Sequence, residues 1–416
     1  MPGPAAHAAV ESTARDSYGR LIAFLASRSH DVAGAEDALG DAFVAALQHW
    51  EADGVPDKPE AWLLHAARNR LIDAGRRSMV RERLEPALRR VAEEAQEVAT
   101  RQEPFPDERL KLMFVCAHPA IDAAARTPLM LQTVLGVDAA RIASAYLTSP
   151  AAMSQRLVRA KNKIREAAIP FRVPEQGEWD ERVSYVLDAI YSGYTAGWEH
   201  VNDSASTMHA LAAESLALGR TLVHLMPDEA EARGLIALML HCEARREARY
   251  GKRGQFVPRD RQDPALWSRE LIEEAERQLQ AASSLRRMGR YQLEAAIQSI
   301  HAHRAESGSI DWEEIALLYE GLVRLAPGIG CRVGRAVALA QSGRLATGVV
   351  ALEEIAAGRV VSYQPYWAAR GHLLRMAGRE KEAREAFTRA ASLTDDPALR
   401  AYLMKRAEGD EDSPAD

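Results

Sequence analysis

The sequence predicts an all-α fold, and three observations carry that prediction. Apolar residues recur at helical spacing, most plainly at Met153, Leu157, Ala160 and Ile164. From Trp179 onward no strand-like alternation occurs, only apolar helical segments joined by short glycine-containing turns. Two of those segments, Ala336–Ala357 and Gly371–Leu393, are alike. Their Gly343-Arg344 and Gly378-Arg379 turns lie about one tetratricopeptide period apart. The expected architecture is two small helical domains, the second a helix-turn-helix, followed by a C-terminal TPR-like helical-repeat domain. The expected boundaries are 1–78, a linker at 79–105, 106–172 and 173–416.

The first domain is read from three helices. Glu11 to Ser27 carries Leu21, Ile22 and Leu25 on its apolar side. Asp31 introduces a second helix to about Trp50, with Leu39, Phe43, Leu47 and Trp50 as its buried stripe. Glu36, Asp37, Asp41 and Gln48 give that helix an acidic outer face. Gly54 and Pro56 break the chain in a loop from Glu51 to Lys58. Pro59 starts a third helix in which Trp62, Leu63, Ala66 and Leu71 pack, while Arg68, Arg70, Arg76 and Arg77 make the surface basic.

Ser78 to Pro104 alternates glutamate and arginine and is expected as a partly helical tether, with breaks at Pro104 and Pro106. A regular helix is expected from Asp122 to Leu135, kinked or shortened at Pro128. Asp138 then caps a short helix to Tyr146, with Ile142 and Tyr146 facing inward, and Tyr146-Leu147-Thr148 forms a tight turn. Ser149 is the N-cap and Pro150 the first residue of a longer basic helix. Opposite its apolar stripe stand Gln155, Arg156, Arg159, Asn162 and Lys163. Arg and Lys neutralise phosphates, and Arg, Gln and Asn make paired hydrogen bonds to guanine or adenine edges. A short helix, a turn and a longer basic helix is a DNA-reading geometry. A solvated outer face is the plainer explanation of the same charges.

Composition sets the bounds. Over 416 residues, 27% are charged and 6% aromatic, which fits a soluble helical protein of two or three domains. The net charge of -6 excludes a protein that simply coats nucleic acid, so any DNA contact comes from a local basic face. Cys116, Cys242 and Cys331 lie far apart without a CxxC pair, which argues for a reducing cytoplasm and against a disulfide framework or a thiolate zinc site. The start, MPGPAAHAAV, lacks the features of a signal peptide, and no run approaches membrane-spanning length, so a cytoplasmic protein without a membrane partner is expected. His301 and His303 are two apart, as are Cys116 and His118, spacings that do not suit a shared metal. No cofactor motif occurs: neither a phosphate-binding glycine loop, a nucleophile elbow nor HExxH.

Three runs carry a family resemblance: AEDALGDAFVAAL (Ala35 to Leu47), PEAWLLHAARNRLID (Pro59 to Asp73) and Gln155-Arg156-Leu157-Val158-Arg159-Ala160-Lys161. In order and spacing they resemble bacterial extracytoplasmic-function sigma factors, the subunits that give RNA polymerase its promoter specificity. The block FPDERLKLMFVCAHPA (Phe105 to Ala120) resembles a subgroup with a long helical extension. The resemblance implies that Glu36, Asp37, Asp41 and Gln48 lie on the helix that docks on core RNA polymerase. It implies that the Glu51–Lys58 loop, Trp62, Arg68, Asn69 and Arg70 meet the −10 element of promoter DNA. It assigns the −35 element to Gln155, Arg156, Arg159, Asn162 and Lys163. The repeat half becomes a regulatory domain with a peptide or protein partner, and no enzyme activity is expected. Three departures favour an alternative, a sigma-like protein that no longer initiates transcription and acts as sensor, scaffold or enzyme. One is Pro128, inside what should be a regular helix. Gly40 stands where the family has glutamine, and Thr195 and Ala196 replace the polar pair of a Phe-Asn-Glu-Gly-Tyr run. The nearby aromatics Tyr185, Tyr191, Tyr194 and Trp198, with Asp188 and His200, are expected mainly as core, with a ligand pocket as the other reading.

Overall fold

The computed structural model describes residues 4–77, 107–146, 148–199 and 207–409. Those residues are helical, with no strand and a single isolated antiparallel bridge, Tyr250 to Phe256. None of their helices is long and apolar enough to cross a membrane. They fall into two compact units, Met1–Leu218 and Gly219–Asp416. The expected linker, 79–105, lies outside the described residues.

The first unit begins with α1 (Pro4–Ser29), α2 (Val32–Asp53) and α3 (Pro59–Arg77), which pack on one another. The Asp31 side chain accepts a hydrogen bond from the Gly34 N–H at 3.1 Å and so starts α2. The buried stripe of α2 is mostly alanine: Val32, Ala35, Ala38, Leu39, Ala42, Ala46 and Trp50. Phe43 and Leu47, expected inside, are only half-buried. Alanine lets the backbone of α2 approach its neighbours closely, and Leu21, Ile22, Phe24 and Leu25 of α1 fill the space fully buried. The loop after α2 is shorter than expected, because the helix runs on to Asp53. Gly54 turns the chain at φ 86°, a conformation that a Cβ disfavours.

Four further helices follow: α4 (Arg109–Cys116), α5 (Ala123–Thr133), α6 (Ala139–Ala145) and α7 (Pro150–Glu166). α5 continues through Pro128, which is buried, and ends at Thr133, short of the expected Leu135. α8 (Trp179–Glu199) packs on α5 and α4. Buried Arg126 ties that contact, donating to the Ile121 carbonyl at 3.0 Å and to Glu181 at 3.0 Å, with its guanidinium 4.7 Å from the Tyr185 ring. Tyr194 is fully buried and stacks on Trp198 at 5.9 Å. α9 (Thr207–Leu225) reaches the division between the units. His200 lies outside the described residues.

In the second unit α10 (Ala230–Glu243) packs between α11 (Arg269–Ser284) and α12 (Arg290–Ser307). Helices α13 (Trp312–Leu325), α14 (Ile329–Gln341), α15 (Leu345–Glu353), α16 (Ala357–Val360), α17 (Gln364–Met376), α18 (Glu380–Ala391) and α19 (Pro397–Glu408) continue it. The two Gly-Arg turns close alike. Gly343 and Gly378 take φ of 87° and 72°, and the Arg344 and Arg379 N–H groups donate back to Leu339 and Leu374 at 3.0 and 2.9 Å. The earlier Gly289-Arg290 pair differs. Gly289 is extended at φ -143° and serves as the N-cap of α12, where a Cβ would strike Glu231. Glu231 itself accepts from the Tyr291 and Gln292 N–H groups at 2.9 and 3.2 Å, a carboxylate capping a helix from another element.

Gly40, in the middle of α2, is exposed and meets nothing within 4 Å where a Cβ would stand. No packing reason holds a glycine there, so Gly40→Ala should stabilise the chain by about 1 kcal/mol. A thermal melt checks this; an unchanged or lowered midpoint would contradict it.

Candidate nucleic-acid interface

The basic helix α7 starts where expected. Ser149 Oγ accepts from the Ala152 N–H at 3.2 Å, and Pro150 follows as the first helical residue. Before it, Asp138 caps α6 by accepting from the Arg141 N–H at 2.9 Å. Met153, Leu157, Ala160 and Ile164 are buried, and Ile142 of α6 is buried beside them. Tyr146, expected inward, is 39% exposed, and its hydroxyl hydrogen-bonds the Thr127 side chain. The ring end stays wet while the polar tip is bonded, which suits tyrosine at a helix terminus.

Of the five predicted reading residues, Gln155, Arg159 and Lys163 are exposed, and Arg156 and Asn162 are half-buried. Gln155, Arg159 and Lys163 stand at four-residue spacing and form one solvated row. Arg165 extends the cationic side. It donates to Asn162 at 3.3 Å and lies 3.5 Å from Asp31.

Lys161 does the opposite. Four residues beyond Leu157 and three before Ile164, it falls beside the apolar stripe, is 9% exposed and pairs with Glu36 of α2. Glu36 was expected on the outer face of α2. The structure turns it inward, because α2 packs on α7 at that position. Burial raises the Glu36 carboxyl above the usual carboxylate range, and the Lys161 charge and hydrogen bond pull against that rise. Behind the pair, Cys116 is fully buried 3.8 Å from Thr133 Oγ1, and burial pushes its thiol up to about 12. The spacing that flagged the apolar stripe also places Lys161 next to it. The partner, 125 residues away, has no local signal.

The acidic and basic helices of the first three-helix bundle keep most of their predicted faces. Asp37, Asp41 and Gln48 are exposed. Asp41 faces Arg70 across α2 and α3 at 3.9 Å, both more than half exposed, a geometry too solvated to tie up either charge. Asn69 is exposed, with its amide 3.5 Å from His65 Nδ1. Arg68 turns partly inward: its Nε is buried without a partner, and burial lowers its guanidinium below the usual range. Trp62 is half-buried and meets the buried Trp50 edge-on at 5.6 Å. Side chains of Arg76 and Arg77 lie outside the description. A cleft of about 740 Å³ in the same unit is lined by Arg15, Tyr18, Gln132, Asp138 and Arg141, and it contains none of the predicted site residues.

Comparison with known proteins places this geometry. Residues 14–80, which span α1 to α3, match Sigma-70 region 2. Residues 182–283 match a family of unknown function, DUF6596. Uncharacterized protein R00370 of Rhizobium meliloti (strain 1021) is 36% identical over 399 residues, covering 95% of this chain and 93% of that protein. The chain belongs to the family of that protein, and its first region marks it as a sigma-70 family member. No solved structure matches it.

Two partly dehydrated ions compensate each other at Lys161 and Glu36, so removing one should cost more than removing both. We expect Lys161→Met to destabilise the chain by about 3 kcal/mol, and Glu36→Leu/Lys161→Met to recover most of that loss. Denaturant titrations of the single and double variants measure the coupling. Equal losses in both would show that the pair carries none.

Proposed function

We propose that this protein is a promoter-specific sigma factor of RNA polymerase, of the extracytoplasmic-function group, whose C-terminal helical-repeat half regulates it. The supporting observation is the joint presence of a Sigma-70 region 2 match and an open row of Gln155, Arg159 and Lys163 on a capped helix. Sigma-70 region 2 implies contact with core RNA polymerase and promoter DNA. In this reading Asp37, Asp41 and Gln48 offer a solvated acidic face to a basic polymerase surface. Glu36 becomes available only when α7 leaves α2. The Gly54–Lys58 loop, with Trp62, Asn69 and Arg70, receives the −10 strand. Unstacking a base there costs a few kcal/mol, which stacking and backbone contacts offset. Arg68, half withdrawn, supports the helix more than it meets DNA. Gln155, Arg156, Arg159, Asn162 and Lys163 read the −35 element in a major groove. The repeat half, with its recurring Gly-Arg hairpins, offers TPR-like surfaces to a peptide or protein. The protein acts in the cytoplasm, without cofactor and not as an enzyme.

A second reading is a sigma-like protein that does not initiate. Gly40 favours it, because the exposed centre of α2 there presents no side chain to a partner. Core polymerase pull-down separates the two readings: stable association fits the first, and none at micromolar concentration fits the second.

Each good base contact is worth about 1–3 kcal/mol. Arg156→Ala/Arg159→Ala should therefore reduce run-off transcription from promoters selected by the reconstituted holoenzyme by about 30-fold or more, with core binding retained. Unchanged run-off product would refute α7 as the reading helix.

A further inference from the structure

The connection between α10 and α11, residues 244–268, is long and irregular inside an otherwise helical unit. Long loops of this kind are commonly functional. It holds seven lysines and arginines against three acidic residues. Short 3-10 turns at Arg246–Arg249 and Arg259–Arg261 fold it back on itself, together with the Tyr250–Phe256 bridge. A Val257 N–H to Arg249 carbonyl bond of 2.8 Å closes the fold.

The result is a convergence of cations. Arg245 Nη2 and Arg259 Nη1 both donate to one atom, Gln298 Oε1 of α12, at 3.2 and 3.3 Å. Arg245 also touches the Cys242 sulfur at 4.0 Å. Among the described residues neither guanidinium forms an ion pair. Arg259 is held down to about 10 by burial and by the Arg245 charge. One turn beyond Gln298 stands His301, 3% exposed, with no hydrogen-bond partner on either ring nitrogen. Burial and the charges of Arg259, Arg245 and Arg304 press its pKa down to about 2, so the ring is neutral, one nitrogen a donor and the other an acceptor. Trp312 fixes it edge-on at 5.4 Å. Arg304 spends its own donors on the Asp260 and Gln262 carbonyls, so it adds field without offering a free fork.

Arg245 and Arg259 are half-buried, and a cation drawn partly out of water is destabilised unless an anion compensates it. Two guanidiniums that share one neutral amide oxygen are under-compensated. Arginine forks match the planar oxygens of carboxylates and phosphates in bidentate fashion. We propose that Arg245, Arg259 and His301 form a binding site for a small oxyanion, the phosphate or carboxylate group of a soluble ligand, with Gln298 orienting the two forks. DUF6596 similarity covers both arginines and ends before His301. The site stands whether or not the chain initiates transcription.

The test is calorimetric titration of the full chain with inorganic phosphate and, separately, malonate, against sodium chloride at matched ionic strength. Saturable binding is expected. Phosphate alone identifies a phosphorylated ligand, malonate alone a carboxylated one, and both the shared oxyanion chemistry. Arg259→Gln should weaken binding about tenfold or more, whereas Arg253→Gln, on an exposed position of the same loop, should leave it unchanged. Gln298→Glu guards against a variant that merely misfolds. It places a carboxylate between the two forks, so it should raise the melting temperature and weaken anion binding about tenfold. No saturable binding of either anion would overturn the site, as would binding by Gln298→Glu as tight as that of the parent.

Discussion

The contact on which the first unit turns is the withdrawal of Lys161 and Glu36 from water together. Each ion taken alone into that seam costs several kcal/mol, and only the other makes the burial tolerable. Their pairing fixes which side of α7 meets α2, and hence which side stays open. Weaker contacts flank it. Arg28 lies 3.7 Å from Glu108, Asp31 lies 3.5 Å from Arg165, and His30 meets Phe171 edge-on at 5.5 Å. The same carboxylate reaches further through its field: burial pushes the Tyr18 hydroxyl well above the usual tyrosine range, and Glu36 adds to that push.

The second unit solves a different problem. Its helices approach closely through small residues. Gly348 sits on the Ala336 carbonyl, and Gly371 lies under the Phe387 ring, with no room for a Cβ at either. Charge is handled locally where the helices are regular, as where Glu231 caps α12 or Arg335 meets Glu320 at 2.6 Å. In the irregular connection after α10, Arg246 meets Glu243, but Arg245 and Arg259 converge on the Gln298 amide oxygen and form no ion pair among the described residues. Two guanidiniums on one amide oxygen leave donors that an oxyanion would satisfy, which is what the proposed site requires.

Much of this was legible in the sequence. Ser149, Pro150 and Asp138 announced the ends of α6 and α7 because capping is a property of adjacent residues. Gly343 and Gly378 announced their turns because a left-handed residue is one that glycine adopts cheaply. The exposed row of α7 followed from helical spacing alone. What stayed hidden depends on distant partners. Nothing near Glu36 says that it will face a lysine 125 residues on, so an acidic face was expected to be uniformly wet. Phe43 and Leu47 drew the buried stripe toward themselves because large apolar residues signal core, whereas α2 buries its alanines. The Gln298 convergence was invisible for the same reason: its three members come from two elements brought together by an irregular loop, and His301 read only as a poor metal ligand.

An ion pair is an unusual choice for holding α7, and its physics suits the joint that the proposed function asks to part. Apolar side chains pressed between α2 and α7 would lose their gain on opening and expose surface that water disfavours. An ammonium and a carboxylate instead regain hydration when they separate, so the net cost of opening is small even though the cost of losing one partner is large. The large apolar residues of α7, Met153, Leu157 and Ile164, are buried, and α7 also packs on α5 and α6, elements that need not move with the joint. In the proposed function the partners that would replace this contact are themselves charged: a phosphate backbone for the lysine side, a basic polymerase surface for the carboxylate. The seam is then an electrostatic one between groups that water, DNA or protein can each satisfy, and which of them does so decides whether the two regions stay together.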